Sequence, residues 1–304
     1  MDKTKMTESQ RISKLELPPG ILDMVLDTDT FNEVDDQFAL AYALLSKERL
    51  NVEAVYAAPF FNDRSESPGD GMERSYQEIL RIFSIMGLSP EDRVFRGSDK
   101  FLPGAQPVDS PAARDLIKRA KARDKDNPLY IVSIAAVTNV ASAIIMCPEI
   151  VERIVVVWLG GQPLHWPDTN EFNLSQDIPA ARTIFDCGVP LIHIPAYNAS
   201  SQMITTLAEL KACIGGKNAL CDALIDLFAE STDDHFAYAR PIWDITAIGY
   251  LIEPGWVPAP LVHSPVLNDG NTWSRNEYRH MIRSATFADR NQIYRDIFTK
   301  LAQL

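Results

Sequence analysis

The mostly apolar run Ile21–Leu26 breaks off into acid: Asp27, Asp29, Asp35 and Asp36 follow before a second apolar stretch, Phe38–Leu45, begins. The first run reads as a buried strand and the second as a helix. The acids therefore occupy the loop that leaves the carboxyl end of a strand and enters a helix. In open α/β sheets that is where ligands bind. Carboxylates so close together repel one another unless a proton or cation neutralises them. Hard oxygen donors suit Ca²⁺ or Mg²⁺ better than zinc. The competing reading is a solvated acidic loop in which Asp35 or Asp36 only caps the helix.

The remaining pattern sets this loop in an α/β frame. Asn51–Ala58, Arg93–Arg96, Leu129–Ala136, Ile154–Leu159 and Pro190–Ile194 read as strands. Helical spacing falls between them, at Met72–Met86, Ala112–Arg123, Val137–Met146 and Ile178–Phe185. Two helical segments follow within residues 200–230, then helices at Ile242–Leu251 and Arg290–Leu301, with Trp256–His263 extended between them. Strands alternating with helices predict a single-domain, Rossmann-like α/β fold, an open and mostly parallel sheet with helices on both faces. Residues 1–20 read as a flexible or surface-draped arm, and residues 21–304 as the domain.

With 46% hydrophobic and 23% charged residues, the 304-residue chain has the composition of a globular enzyme. A net charge of −12 argues against a nucleic-acid partner, which would need a surplus of Lys and Arg. Cys147, Cys187, Cys213 and Cys221 show no CxxC spacing, so they read as thiols in a reducing compartment. Met1–Lys14 has no apolar core of the secretory kind, and no run approaches the roughly 20 apolar residues that span a bilayer. A cytoplasmic protein with no membrane partner is expected.

Two later segments add chemistry. Asn170-Glu171-Phe172-Asn173 combines a carboxylate and amides suited to sugar hydroxyls, although Asn-rich loops are usually turns. Asp244 stands alone among Ile242, Trp243, Ile245 and Ile248 and needs a partner if buried, unless it is an N-cap.

Together these segments resemble the calcium-dependent inosine–uridine type of nucleoside hydrolase. That family opens with a strand ending in DxDPGxDD, matched here by Asp27-Thr28-Asp29 and Asp35-Asp36-Gln37-Phe38-Ala39-Leu40. Its GPLTN-like turn is matched by Ile134–Asn139, and its GG…EFN…DPEAA pattern by Gly160-Gly161, Glu171-Phe172-Asn173 and Asp177–Ala181. Its late HD or WD pair is Trp243-Asp244. The resemblance implies that Asp29, Asp36, Asp244 and the Ile134 carbonyl ligate Ca²⁺, with Asp29 also the general base for a metal-bound water. It further implies that Asp35, Glu171 and Asn173 hold ribose hydroxyls and that Trp243 stacks the base, as in the purine-preferring branch. Asp27 would be a structural acid that orients the loop. The expected reaction is hydrolysis of a small-molecule ribonucleoside, with purines preferred, by a homodimer or homotetramer.

The chain also departs from the family. Thr30–Val34 is two residues longer than the usual Pro-Gly-x, so Asn32 or Glu33 is a candidate to reach the pocket. Pro59, with Phe60 and Phe61 beyond it, stands where an Asn or Asp is usual, and His165, Trp166 and Asn170 are the candidates for the 5′-hydroxyl. Two other readings remain: a calcium- and ribose-binding relative without catalysis, and a haloacid dehalogenase-type phosphohydrolase, whose strand ending in DxD fits Asp27-Thr28-Asp29 but leaves Asp35-Asp36 and the EFN run unexplained.

Overall fold

The computed structural model describes residues 6–304. Helix α1 (Glu8–Lys14) precedes strand β1 (Leu22–Thr28), and α2 (Asp35–Leu45), β2 (Leu50–Ala57), α3 (Pro68–Ile85) and β3 (Val94–Arg96) follow. Next come α4 (Pro111–Lys121), β4 (Leu129–Ser133), α5 (Thr138–Met146), β5 (Ile154–Leu159), α6 (Phe172–Gln176), α7 (Ile178–Asp186) and β6 (Leu191–Ile194). The last third holds β7 (Ile204–Thr205), α8 (Leu207–Ile214), α9 (Ala219–Ala229), β8 (Arg240–Pro241) and α10 (Ile245–Ile252). It ends with β9 (Leu261–His263), β10 (Val266–Leu267), β11 (Trp273–Ser274), β12 (Met281–Ser284) and α11 (Arg290–Ala302).

Eight strands make one sheet in the order β3-β2-β1-β4-β5-β6-β12-β9, parallel throughout except where β9 runs against β12. The chain walks outward from β1 to β3 and then returns to lay β4 on the other side of β1. The topological switch point therefore lies between the carboxyl ends of β1 and β4, the place where open α/β sheets bind ligands.

Both faces of the sheet are covered. Along β5, Val155, Val157 and Leu159 enter one apolar core while Ile154, Val156 and Trp158 enter the other, the period-two alternation of a strand buried on both sides. Helix α2 is buried from Asp35 to Leu44 and packs under α10 and α11, which is why its sequence is apolar almost all round. The predicted α/β architecture is the one observed.

The differences are local. Leu129–Ala136, read as one strand, stops at Ser133, because Ile134–Ala136 turn into the cavity region ahead of α5. Strand β12 has no sequence signal: Met281–Ser284 is four residues long, carries Arg283 and follows a polar stretch. Tertiary contacts define it. His193 on β6 lies 3.0 Å from Ser284 through Nδ1 and 2.8 Å from the Gly160 carbonyl through Nε2, which ties β12 to β6 and to the end of β5. Nε2 must donate to a carbonyl, so Nδ1 accepts from the serine hydroxyl. Burial drives His193 down to about 4 and keeps the ring neutral.

Within the stretch expected as an arm, residues 8–14 form α1, with a Thr7–Gln10 capping box at its start. Arg11 is buried and its Nε donates to the Gly188 carbonyl at 2.8 Å. Residues 1–5 of that stretch lie outside the described residues. Cys147 and Cys221 are buried, Cys187 is half-buried and Cys213 is exposed. Among the described residues no helix is long and apolar enough to cross a membrane.

Candidate active site

A cavity of about 250 Å³ opens at the switch point. Asp29, Asp35 and Asp36 line it from the β1–α2 loop, Ile134 from the end of β4, and Glu171 and Asn173 from the start of α6. Trp243 and Asp244 close it ahead of α10. The residues that the resemblance assigned to metal, sugar and base thus meet in one place, although residues 29 and 244 are far apart in the chain.

The loop end is held from below by Asp27. Its carboxylate accepts from Ser133 Oγ at 2.9 Å and from Asn139 Nδ2 at 2.8 Å, and its carbonyl accepts from the Ile134 N–H at 2.9 Å. Asn139 also donates to the Ala57 carbonyl and accepts from Ser98. This crossroads leaves no room at Gly97, where a Cβ would sit 2.0 Å from the Ala57 carbonyl oxygen. Asp27 is fully buried and does not line the cavity, and burial raises it to about 7.

Above it the acids are not helix caps. Val34 is the N-cap of α2 and makes no side-chain cap bond, so Asp35 and Asp36 fall in the first turn with their carboxyls turned to other uses. Asp244 holds the N-cap position of α10 but likewise makes no cap bond. Two helix N-termini thereby point their positive ends at the acids, which partly offsets the repulsion. Ligand oxygens of Asp35, Asp36 and Asp244 all lie within 4.8 Å of one another. Asp29 joins them through a carboxyl–carboxyl contact with Asp36, and Asp35 makes a second such contact with Asp244.

Two contacts of this kind require a shared proton or a cation between the oxygens. Burial first, and then the neighbouring carboxylates, push Asp29, Asp36 and Asp244 well above the usual carboxylate range. Asp35 rises to about 7, chiefly by burial and then by Glu33, while Arg240 pulls it down. Asp29 is 1% exposed and its Oδ2 is buried without any partner. An all-oxygen donor set with an orphaned carboxylate oxygen fits a hard divalent cation. The tight trio contains Asp35, which the sequence reading gave to the sugar, while Asp29 reaches it through Asp36.

The opposite wall is built on Gly161, whose φ of +76° favours glycine and whose N–H donates to Glu171 Oε2 at 2.7 Å. Glu171 also accepts from the backbone of Asn173 and Leu174 as the N-cap of α6. Three of its roughly four acceptor positions are therefore taken, and one remains for a ligand. Asn173 donates Nδ2 to the Leu159 carbonyl at 3.0 Å, which leaves its Oδ1 to accept. Asp177, part of the same sequence pattern, caps α7 and binds Thr138 and Leu102 outside the cavity.

Several cavity residues were not singled out in the sequence: Leu159, Gln162, Phe172, Ala196 and Tyr197. Tyr197 meets Trp243 edge to face, with ring centroids 5.7 Å apart at 65°, and packs on Trp166 at 5.1 Å. It sits just past β6, and the only available hint was its position after a strand end. Asn32 and Glu33 do line the cavity, as the longer loop suggested they could. Glu33 is ion-paired with Arg240 on β8. The other candidates fall elsewhere. Phe60 is buried, Phe61 is on the surface, and neither lines the cavity; nor do His165, Trp166 and Asn170. His235, the nearest histidine before Trp243 in the chain, bonds the Ala229 carbonyl at 2.9 Å and does not line the cavity either.

The sequence profile of inosine-uridine preferring nucleoside hydrolases matches residues 24–295. A putative pyrimidine-specific ribonucleoside hydrolase RihB of Shigella boydii is 28% identical over 172 residues, 54% of this chain and 70% of that one. The pyrimidine-specific ribonucleoside hydrolase RihB of Escherichia coli is 27% identical over 172 residues, so the match spans about half of its length (54%). A purine-preferring ribonucleoside hydrolase from Gardnerella vaginalis superposes with a TM-score of 0.74 at 22% identity, covering 92% of this chain and 98% of that one. An inosine-guanosine nucleoside hydrolase gives 0.73 at 14% identity, with 92% and 98% covered. At such identities the structural likeness is one of fold.

Proposed function

Since the chain belongs to the inosine-uridine preferring nucleoside hydrolase family, we propose that it hydrolyses the N-glycosidic bond of ribonucleosides, purine ones in preference, to ribose and free base. The observation that carries this reading is the buried, unpartnered Asp29 Oδ2 beside the trio Asp35, Asp36 and Asp244. Asp29, Asp36 and Asp244, with the Ile134 carbonyl, would hold Ca²⁺. When bound, the cation supplies Lewis acidity beside the reacting carbon.

The side chains do the rest. Asp29 takes the proton of the attacking water through its open oxygen. Asp35, the free acceptor of Asn173 and the remaining acceptor position of Glu171 receive the ribose hydroxyls and fix the sugar for in-line attack. Carboxylates around the sugar favour the positive charge that develops on an oxocarbenium-like ribosyl centre. Trp243 and Tyr197 form an aromatic corner for the base, and a protonated purine over indole gains roughly 1–2 kcal/mol. The relatives described above include pyrimidine-specific and purine-preferring proteins alike; the purine preference proposed here rests on that corner.

The test is a reducing-sugar assay on inosine, adenosine, guanosine, uridine and cytidine, with Ca²⁺ and after chelation. Ribose release from purine nucleosides that stops on chelation is expected. If no ribonucleoside releases ribose with the metal present, the reading is wrong.

A further inference from the structure

The cavity is lined by more carboxyl groups than one divalent cation neutralises. Asp29, Glu33, Asp35, Asp36, Glu171 and Asp244 all line it, and among the described residues no lining side chain is Lys, Arg or His. Five of these acids belong to the ribose and metal end of the proposed site. Glu33 does not. It comes from the Thr30–Val34 loop, which is longer here than the Pro-Gly turn, and its side chain is 46% exposed. It lies close enough to the buried acids to raise Asp35, Asp36 and Asp244. Arg240 pairs with it from outside the lining. The same cavity offers two aromatic rings, Trp243 and Tyr197, the latter 46% exposed and reachable.

Leaving-group chemistry gives this arrangement a consequence. When the C1′–N bond breaks, the electron pair goes to the ring nitrogen. A neutral base must gain a proton or depart as an anion, and an anion is opposed by a carboxylate-lined cavity. Trp243, not a His, stands before Asp244 in the pair, and His235, bound to the Ala229 carbonyl, does not line the cavity. A base that is already cationic departs neutral and needs no proton. Such a ring is also attracted by the surplus carboxylates and by aromatic faces.

Resting on the nucleoside hydrolase reading, we propose that this site prefers ribosides whose base carries a fixed positive charge, N-alkylated purine or pyridinium rings, and that Glu33 confers the preference. The reaction balances: the water oxygen bonds C1′, its proton passes to Asp29 and then to solvent, and the C1′–N pair neutralises the departing ring.

The experiment compares kcat/KM of the full chain with Ca²⁺ for 7-methylguanosine against guanosine, at a pH where the methylated ring is cationic, and for the riboside of nicotinamide. Wild type is expected to favour the cationic substrates about tenfold in kcat/KM, with the part due to charge attraction shrinking as salt is raised. Glu33→Gln is expected to cut the cationic-to-neutral ratio about fivefold while guanosine turnover stays within about twofold. Arg240→Gln frees the Glu33 carboxylate and is expected to hold or raise the ratio, which separates a charge effect from a disturbed loop. A ratio that is unchanged in Glu33→Gln, or a wild type that favours guanosine, overturns the proposal and leaves the hydrolase reading intact. If neither neutral nor cationic ribosides release ribose, both fall.

Discussion

Asn139 Nδ2 donates to Asp27 Oδ1 across 2.8 Å, and through this bond the first turn of α5 holds the strand end from which the acidic loop departs. The same amide reaches the Ala57 carbonyl on β2, so one side chain spans the switch point. Replacing it by Ala leaves a buried carboxyl, a buried carbonyl and the Ser98 amide short of partners. We expect Asn139→Ala to lower the unfolding free energy by about 2–4 kcal/mol. Urea titration measures this, and a loss under about 0.5 kcal/mol would show that the crossroads is not a structural anchor.

Removing the orphaned carboxylate separates chemistry from folding. Asp29→Ala takes a repelling charge out of a buried cluster, so the fold should persist while ribose release falls by about 10²–10⁴-fold. Asp244→Ala should additionally lower bound calcium in an elemental analysis. Both variants keeping wild-type metal content and turnover would remove Asp29 and Asp244 from the site.

Calcium should stabilise the protein in a pH-dependent way. The folded-state values of Asp29, Asp35, Asp36 and Asp244 lie above the ordinary value of 3.8, with Asp35 at about 7. Burying these groups therefore destabilises the metal-free fold once pH rises above the unfolded value, and protonation relieves the cost as pH falls through the raised ones. A cation takes the place of those protons, so it stabilises most at neutral to alkaline pH. The calcium-induced rise in Tm is expected to be several degrees larger near pH 8 than near pH 5.5, as a rough figure. An equal rise at both would mean that calcium binds elsewhere.

The aromatic corner makes a claim of its own. Trp243→Ala should reduce kcat/KM for inosine and guanosine about tenfold, the value of a cation–π contact of 1–2 kcal/mol, and affect uridine less. Equal losses on purines and pyrimidines would point to a packing role for the indole.

Much of this site was legible before folding because its donors come in short runs. Asp29, Asp35 and Asp36 lie within eight residues at a strand-to-helix junction, and Glu171 with Asn173 forms another compact run. The apolar periodicities also placed the central strands, since a strand buried on both faces must be apolar along its whole length. Less was legible where contact rather than composition decides. β12 is stitched in by His193 and Ser284, and nothing local marks Met281–Ser284 as a strand. Tyr197 is one of nine tyrosines, and only the approach of the β6 end to Trp243 makes it part of the cavity. Glu171 reads as a sugar ligand in the sequence, but its three backbone bonds also make it the cap that shapes the wall.

What the sequence determined by itself was therefore the α/β frame, the resemblance to the family and the acids that meet in the cavity, because hydrophobic period, motif order and acid spacing are properties of contiguous residues. The tertiary structure alone decided which acids touch. It set Asp35 with Asp36 and Asp244 as the tight trio, turned Asp29 Oδ2 toward no partner, and brought Glu33 from an irregular loop onto the cavity wall. Those outcomes depend on how two helix N-termini converge over one strand end, a relation between segments far apart in the chain that no local pattern encodes.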